Sequence, residues 1–172
     1  VVSADESGRV SVWSAGPGRE LAQDRAWQWA CAFSPDGRLI ANCSSFDGVI
    51  LRSVRSGREL LRIRSPHDCI LDAAFSPDSR RLVTVGGLKI AKVWDVESGK
   101  LLLRLRGHRR QTHMGVAWSP DGRWIAAGSL DGTAKVWDAH TGEERLTLFM
   151  DPQKGHALTG LSNRVGRLAF DA

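Results

Sequence analysis

Apolar and polar residues alternate along this chain over short runs and then break. Between 101 and 106, Leu101, Leu103 and Leu105 fall on one face of an extended segment and Leu102, Arg104 and Arg106 on the other, which is the two-residue period of a half-buried strand. No stretch carries a 3.6-residue apolar stripe with caps at its ends. Runs of the strand kind recur: one ends in the aromatic residue before Ser-Pro-Asp, one passes through "RWIAAGS", one through "TAKVW" and one through "ERLTLF". The breaks between them carry turn chemistry. In Ser-Pro-Asp-Gly the proline presets the backbone angle of the second turn residue and the glycine accepts a positive φ, while Asp47-Gly48 and Asp131-Gly132 suit tight hairpins. The pattern predicts an all-β chain of short antiparallel strands.

The order of these strands repeats. "AFSPDGRLIA" (32–41), "AFSPDSRRLV" (74–83) and "AWSPDGRWIA" (117–126) are versions of one phrase, with Phe33, Phe75 and Trp118 spaced 42 and 43 residues apart. Trp13, Arg52, Trp94 and Trp137 follow at spacings of 39, 42 and 43, and Ser98-Gly99 and Thr141-Gly142 each begin four residues behind a tryptophan. A fixed period of this size marks stacked units, none of which buries its apolar face alone. Four antiparallel strands per unit make a small sheet, and sheets fanned about an axis leave only short edges open to pairing.

The stretch "RGHRRQTHMGVAWSPDGRWIAAGSLDGTAKVWDAHTG" (106–142) resembles a WD-repeat unit almost throughout, from Gly-His through Ser-Pro-Asp-Gly and Asp-Gly to Val-Trp-Asp. The resemblance covers essentially the whole chain in degraded copies. It implies a WD-repeat β-propeller segment of radially arranged four-stranded antiparallel blades, with complete blades at 27–65, 68–106 and 109–150. It further implies the end of a blade in 1–22 and the first strand of another in 163–172. Propellers have about 4 to 8 blades, so the chain is expected to be a segment of a longer, bacterial-type protein, with the remaining blades of the ring outside it. Docking of the 163–172 strand beside 1–22, closing a small four-blade ring, is the other reading the count leaves open.

The resemblance also implies a hydrogen-bonded network joining the His of Gly-His, the Asp of the turn between second and third strands, a second-strand hydroxyl and the third-strand Trp. On this chain His108, Asp131 and Trp137 match, with Ser129 the nearest hydroxyl because Ala127 takes the more internal position. The unit at 68–106 keeps His67, Thr84 and Trp94 but has Leu88 in place of the Asp, and the unit at 27–65 has Arg52 in place of the Trp. A buried indole N–H or imidazole left without a partner costs about 1–3 kcal/mol, so these residues are expected to serve the fold. Partner binding is implied at the face formed by the starts of the first strands and the residues just before the turn Asp. Those positions hold Trp27, Trp29, Leu71, Met114, Phe46 and Leu130. Phe46 and Leu130, in turns, are the expected anchors, whereas Trp27, Trp29 and Leu71 equally suit packing between blades.

Composition alters this picture little. The 172 residues are 42% hydrophobic and 25% charged, an ordinary globular balance, and no run approaches the roughly 18 apolar residues of a membrane-spanning helix. Lys plus Arg number 24 against 19 acids, a net charge of +5, and 19 of the cations are Arg. Arg62, Arg64, Arg104, Arg106, Arg109 and Arg110 are expected on fourth strands and the loops after them, solvated and discouraging edge pairing, so nucleic acid is not an expected partner. Cys31, Cys43 and Cys69 lack any paired spacing and read as small buried thiols in a reducing compartment. The five histidines have no zinc-hydrolase spacing, and there is no Gly-x-Ser-x-Gly, phosphate-cradling loop or pair of carboxylates on one element. No catalytic, metal-binding or cofactor-binding residue is therefore expected. The expected function is a non-catalytic cytoplasmic scaffold for protein–protein interaction, binding proteins or peptides and no membrane. The alternatives are a regulatory or sensory module of a larger signalling protein, for example one fused to a kinase, and a propeller attached to a peptidase.

Overall fold

The computed structural model describes residues 2–4, 10–13, 20–24, 28–44, 48–65, 68–112 and 115–149, with side chains from Ala30 onward except at Ser44. The strand expected at 163–172 lies outside them. The described residues form strands and turns and no helix. β1 (Val2–Ala4), β2 (Val10–Trp13) and β3 (Glu20–Asp24) make a three-stranded sheet. β4 (Gln28–Phe33), β5 (Leu39–Ser44), β6 (Gly48–Ser53) and β7 (Glu59–Ile63) make the first four-stranded sheet. The second holds β8 (Ile70–Phe75), β9 (Arg81–Gly86), β10 (Ala91–Asp95) and β11 (Leu101–Leu105). The third holds β12 (Val116–Trp118), β13 (Trp124–Gly128), β14 (Thr133–Asp138) and β15 (Glu144–Phe149).

Every sheet is an antiparallel meander whose strand order follows the chain. The first strands lie innermost, β8 running against β4 on one side and β12 on the other, so the fourth strands form the outer edges. β2, β6, β10 and β14 share an irregularity, a register shift against the strand that follows, at Trp13, Arg52, Trp94 and Trp137. Such a bulge increases the local twist and re-aims a side chain.

Alternation along the strands explains the core. On β9 and β10, Val83, Val85, Ala91 and Val93 pack with Val116, Trp118, Ile125, Ala127 and Trp137 of the third sheet. Leu82 and Trp94, on the opposite face, pack with Ala41, Val49, Leu51 and Ile63 of the first. The second sheet is thus covered on both faces, which is why β9 is buried at five of its six positions. Fully burying an aliphatic side chain contributes about 1.5–3 kcal/mol, and both clusters span neighbouring sheets, so the sheets stabilise one another. Hydrogen bonds reinforce the contact: Trp118 Nε1 donates to the Ala74 carbonyl at 3.1 Å and Val116 N to Asp72 Oδ2 at 3.1 Å. Arg81 lies 4.6 Å over the Trp118 ring and donates to the Ala139 carbonyl. One expectation is corrected here. Cys43 is buried and Cys69 half-buried, but Cys31 is exposed, because Ala30 and Ala32 take the inward face of β4 and turn the thiol between them outward.

The Ser-Pro-Asp turns close on themselves. Ser34, Ser76 and Ser119 each place their hydroxyl on the following Asp, and each accepts the backbone N–H five residues on at 2.9 Å. The fourth position of the turn has φ of 71° at Gly37 and Gly122, and 60° at Ser79.

Candidate functional site

The strand ends define two ends of the molecule. One carries the Ser-Pro-Asp turns and the links from third to fourth strands; the other carries the second-to-third-strand turns and the junctions where the chain passes to the next sheet. The signature residues gather at this junction end.

In the third sheet His108 is buried just beyond β11, its ring edge-on to Trp137 with centroids 5.4 Å apart. His108 Nε2 faces the Ala127 carbonyl at 3.2 Å. His108 Nδ1 lies 3.2 Å from Thr133 Oγ1 and 3.3 Å from Asp131 Oδ2. Burial holds the imidazole below the ordinary histidine value despite the neighbouring Asp131 charge. Burial acts to raise Asp131, but the Thr133 hydroxyl, the Arg109 N–H and the His108 charge outweigh it and hold the carboxyl down at about 2. Trp137 donates its indole N–H to the Arg106 carbonyl at 2.8 Å.

Ser129 departs from the expected network. Its hydroxyl lies 3.0 Å from the Gln111 carbonyl and 3.2 Å from that of Arg110, and it accepts the Asp131 N–H. Ser129 sits one residue beyond β13, two positions from Ala127, and that offset carries its side chain away from Trp137 and onto the junction loop. There it works with Asp131, which accepts the Arg109 N–H at 2.7 Å, and with Leu130, whose N–H donates to Gln111 O at 3.1 Å. Buried Thr112 extends the stitching to the second sheet, its hydroxyl 3.2 Å from the Leu88 carbonyl and 3.4 Å from that of Gly86. The junction loop at 106–112 is thereby fixed to turns of two sheets.

The second sheet meets the same demand with other groups. Trp94 Nε1 donates to Thr84 Oγ1 at 2.9 Å. Lys92, buried, reaches Asp68 Oδ2 at 2.9 Å and Ser65 Oγ at 2.8 Å, both also buried. Sequence reasoning passed over this trio and over Thr112. In the sequence Lys92 reads as a polar position on an alternating strand. In the first sheet Arg52 donates to the Gly57 carbonyl at 3.4 Å and lies 4.0 Å from Glu59.

Of the expected partner-binding residues, Leu130 is 43% exposed at the tip of its turn. Leu71 is half-buried at a bulge of β8, and Trp29 occupies the equivalent bulge of β4, its side chain outside the described set. Trp27, Phe46, Met114 and His67 lie outside the described residues. Among the outer arginines Arg62 is paired with Glu59 at 2.8 Å, while Arg64, Arg104, Arg106, Arg109 and Arg110 are exposed. A recess of about 180 Å³ beside the junction is lined by Gly107, Arg109, Asp131, Thr133, Lys135, Thr147 and Phe149. That is room for one side chain, well below the roughly 300–1,000 Å³ of small-molecule sites. No group of three or more His, Cys, Asp or Glu side chains among the described residues is arranged to hold a metal ion.

The sequence profile of one family, described as WD domain, G-beta repeat, matches residues 19–51, 58–95 and 99–138, well over half of the chain. The last two matches run from the outer strand of one sheet through the first three strands of the next, so the repeat in sequence is offset from the sheet in space. No curated protein matches the chain.

Proposed function

Because the chain belongs to the WD domain, G-beta repeat family, whose repeats generally mediate protein–protein interaction, we propose that it is a non-catalytic scaffold that binds proteins or peptides at its junction end. The observation that carries this reading is the posture of Leu130. A leucine 43% exposed is held out at a turn whose backbone is tied by Ser129, Asp131 and the Gln111 carbonyl. A rigid apolar group among polar ones loses little freedom on binding, which is the property of an interface anchor.

The test is a random peptide library displayed on phage, selected against the full chain and counter-screened against Leu130→Asp. The selected peptides are expected to bind the variant roughly tenfold or more weakly, as for loss of an anchor. The variant should melt within about 0.5 kcal/mol of the parent, as an exposed substitution does. Peptides that bind parent and variant equally would remove the junction end from consideration.

A further inference from the structure

The two ends of the strands differ in charge. At the Ser-Pro-Asp end acids and bases intermix: Asp36 stands 4.0 Å from Arg38, and Arg145 lies 3.3 Å from Glu143 and 3.8 Å from Asp138. At the junction end Arg64, Lys89, Arg106, Arg109 and Arg110 are all exposed, and their side chains have no ion pair or hydrogen bond within the described structure. The three described carboxylates there are already taken, Glu144, whose side chain lies against Gly107, by Lys135 at 2.6 Å. Asp68 is buried against Lys92, and Asp131 is engaged by Thr133 and by the Arg109 N–H. Among the described residues this end therefore presents cations without counter-charge, and like-signed groups with little between them raise the local concentration of opposite charge.

The cations share a platform with apolar groups. Arg109, Arg110 and Leu130 come from the third sheet and Leu88 and Lys89 from the second, and Thr112 joins the two sets through the Leu88 carbonyl while Leu130 N holds Gln111 O. Aliphatic neighbours offer a phosphate backbone nothing, whereas an extended peptide can set carboxylates on the cations and an apolar side chain on the leucine. We infer that the junction end takes an acidic peptide carrying an apolar side chain, its carboxylates over Lys89, Arg109 and Arg110 and its apolar group on Leu130. The inference rests on the junction end being the binding face.

The peptides selected above supply the test, with affinities read by fluorescence anisotropy on the full chain. Those that need Leu130 should be enriched in Asp and Glu together with at least one large apolar residue, and their affinity should fall with added salt. The double variant Arg109→Gln/Arg110→Gln should bind them roughly threefold to tenfold more weakly, the product of two exposed ion contacts, with an unchanged melt. Should that variant melt lower, Lys89→Gln on the neighbouring sheet should give the same direction of loss. Leu130-dependent peptides without acidic enrichment, or without salt sensitivity, would overturn the inference and leave the junction end as the binding face. Selected peptides none of which needs Leu130 would remove both. An oligothymidylate that binds and is lost in the double variant, where acidic peptides do not bind, would put nucleic acid in the peptide's place.

Discussion

The second and third sheets solve one physical problem with different residues. Both carry a Trp at the same third-strand position and a Lys two residues before it, and Lys92 and Lys135 lie opposite Thr84 and Ala127 respectively. Where the second strand offers the Thr84 hydroxyl, Trp94 uses it; where it offers Ala127, Trp137 donates to the Arg106 carbonyl instead. The junction differs in the same way. His108, Asp131 and Thr133 fill it in the third sheet, and Lys92, Asp68 and Ser65 in the second. The invariant is that each buried donor finds an acceptor. The familiar set of residues is one way of meeting that condition.

The comparison breaks most sharply at the two lysines. Asp68 is 5% exposed at its side chain and, among the described residues, its Oδ1 has no hydrogen-bond partner and Lys92 is the one cation on its Oδ2. Lys92→Met strands a buried carboxylate and should cost about 3–5 kcal/mol, the usual cost of removing one member of a buried pair. Lys135 is as buried, but its partner Glu144 is 35% exposed. Lys135→Met leaves Glu144 free to turn to water and should cost about 1 kcal/mol or less. Urea denaturation of both variants measures the difference. Equal losses would mean that the pair in the second sheet is no more committed than the one in the third.

Acid should separate the sheets next. His108 is held below the ordinary histidine value of 6.5 by burial, so the unfolded chain takes up this proton at a pH where the folded chain does not. By linkage, the stability His108 contributes is complete above 6.5 and falls as pH drops below it. Asp131 adds a later loss between its ordinary 3.8 and about 2, because the folded form keeps the carboxylate charged. The described polar groups of the second sheet include no histidine. Parent and His108→Gln, compared by denaturation at steps from neutral pH to 5, should differ in slope, the variant losing less stability per pH unit. Parallel slopes would place the acid sensitivity elsewhere.

How much of this was legible in the sequence follows from which interactions repeat. Period-two alternation and the recurring Ser-Pro-Asp and Trp-Asp phrases define four strands per unit, and the three sheets from β4 to β15 have that composition, because local pattern and turn chemistry decide strands directly. Side-chain partners were far less legible. Lys92 reads as a polar position on an alternating strand, yet the second sheet is covered on both faces and both its faces are buried. Ser129 was named by proximity, but a two-residue step from Ala127 brings it to the junction loop, where a carbonyl rather than an indole waits. Thr112 gave no signal, since a lone Thr in a loop acquires its role only when a neighbouring sheet presents Leu88 O. Thr112 meets a residue of another unit, while Ser129 and Lys92 meet Gln111 and Asp68 of their own units, at a position the copies do not share, and a repeat pattern reports what is common to the units.

The smallest predicted effect isolates backbone conformation. In the third sheet the Ser-Pro-Asp turn ends in Gly122 at φ 71°, and the same position of the second holds Ser79 at φ 60°. A left-handed conformation costs a residue with a Cβ about 1–2 kcal/mol, and glycine's greater freedom in the unfolded chain returns about 0.5–1 of that. A Cβ on Gly122 would meet nothing closer than Pro77 Cδ at 3.7 Å, an ordinary contact, so Gly122→Ser tests the backbone alone and should destabilise by roughly 0.5–1 kcal/mol. Ser79→Gly should stabilise by slightly less, because Ser79 Oγ accepts the Asp36 N–H at 3.2 Å across to the first sheet, an exposed bond that water largely replaces. Opposite shifts in the denaturation midpoint are the expected result. If Ser79→Gly instead destabilises, the Asp36 contact outweighs the strain, and the second sheet's turn is held by its neighbour where the third sheet's turn holds itself.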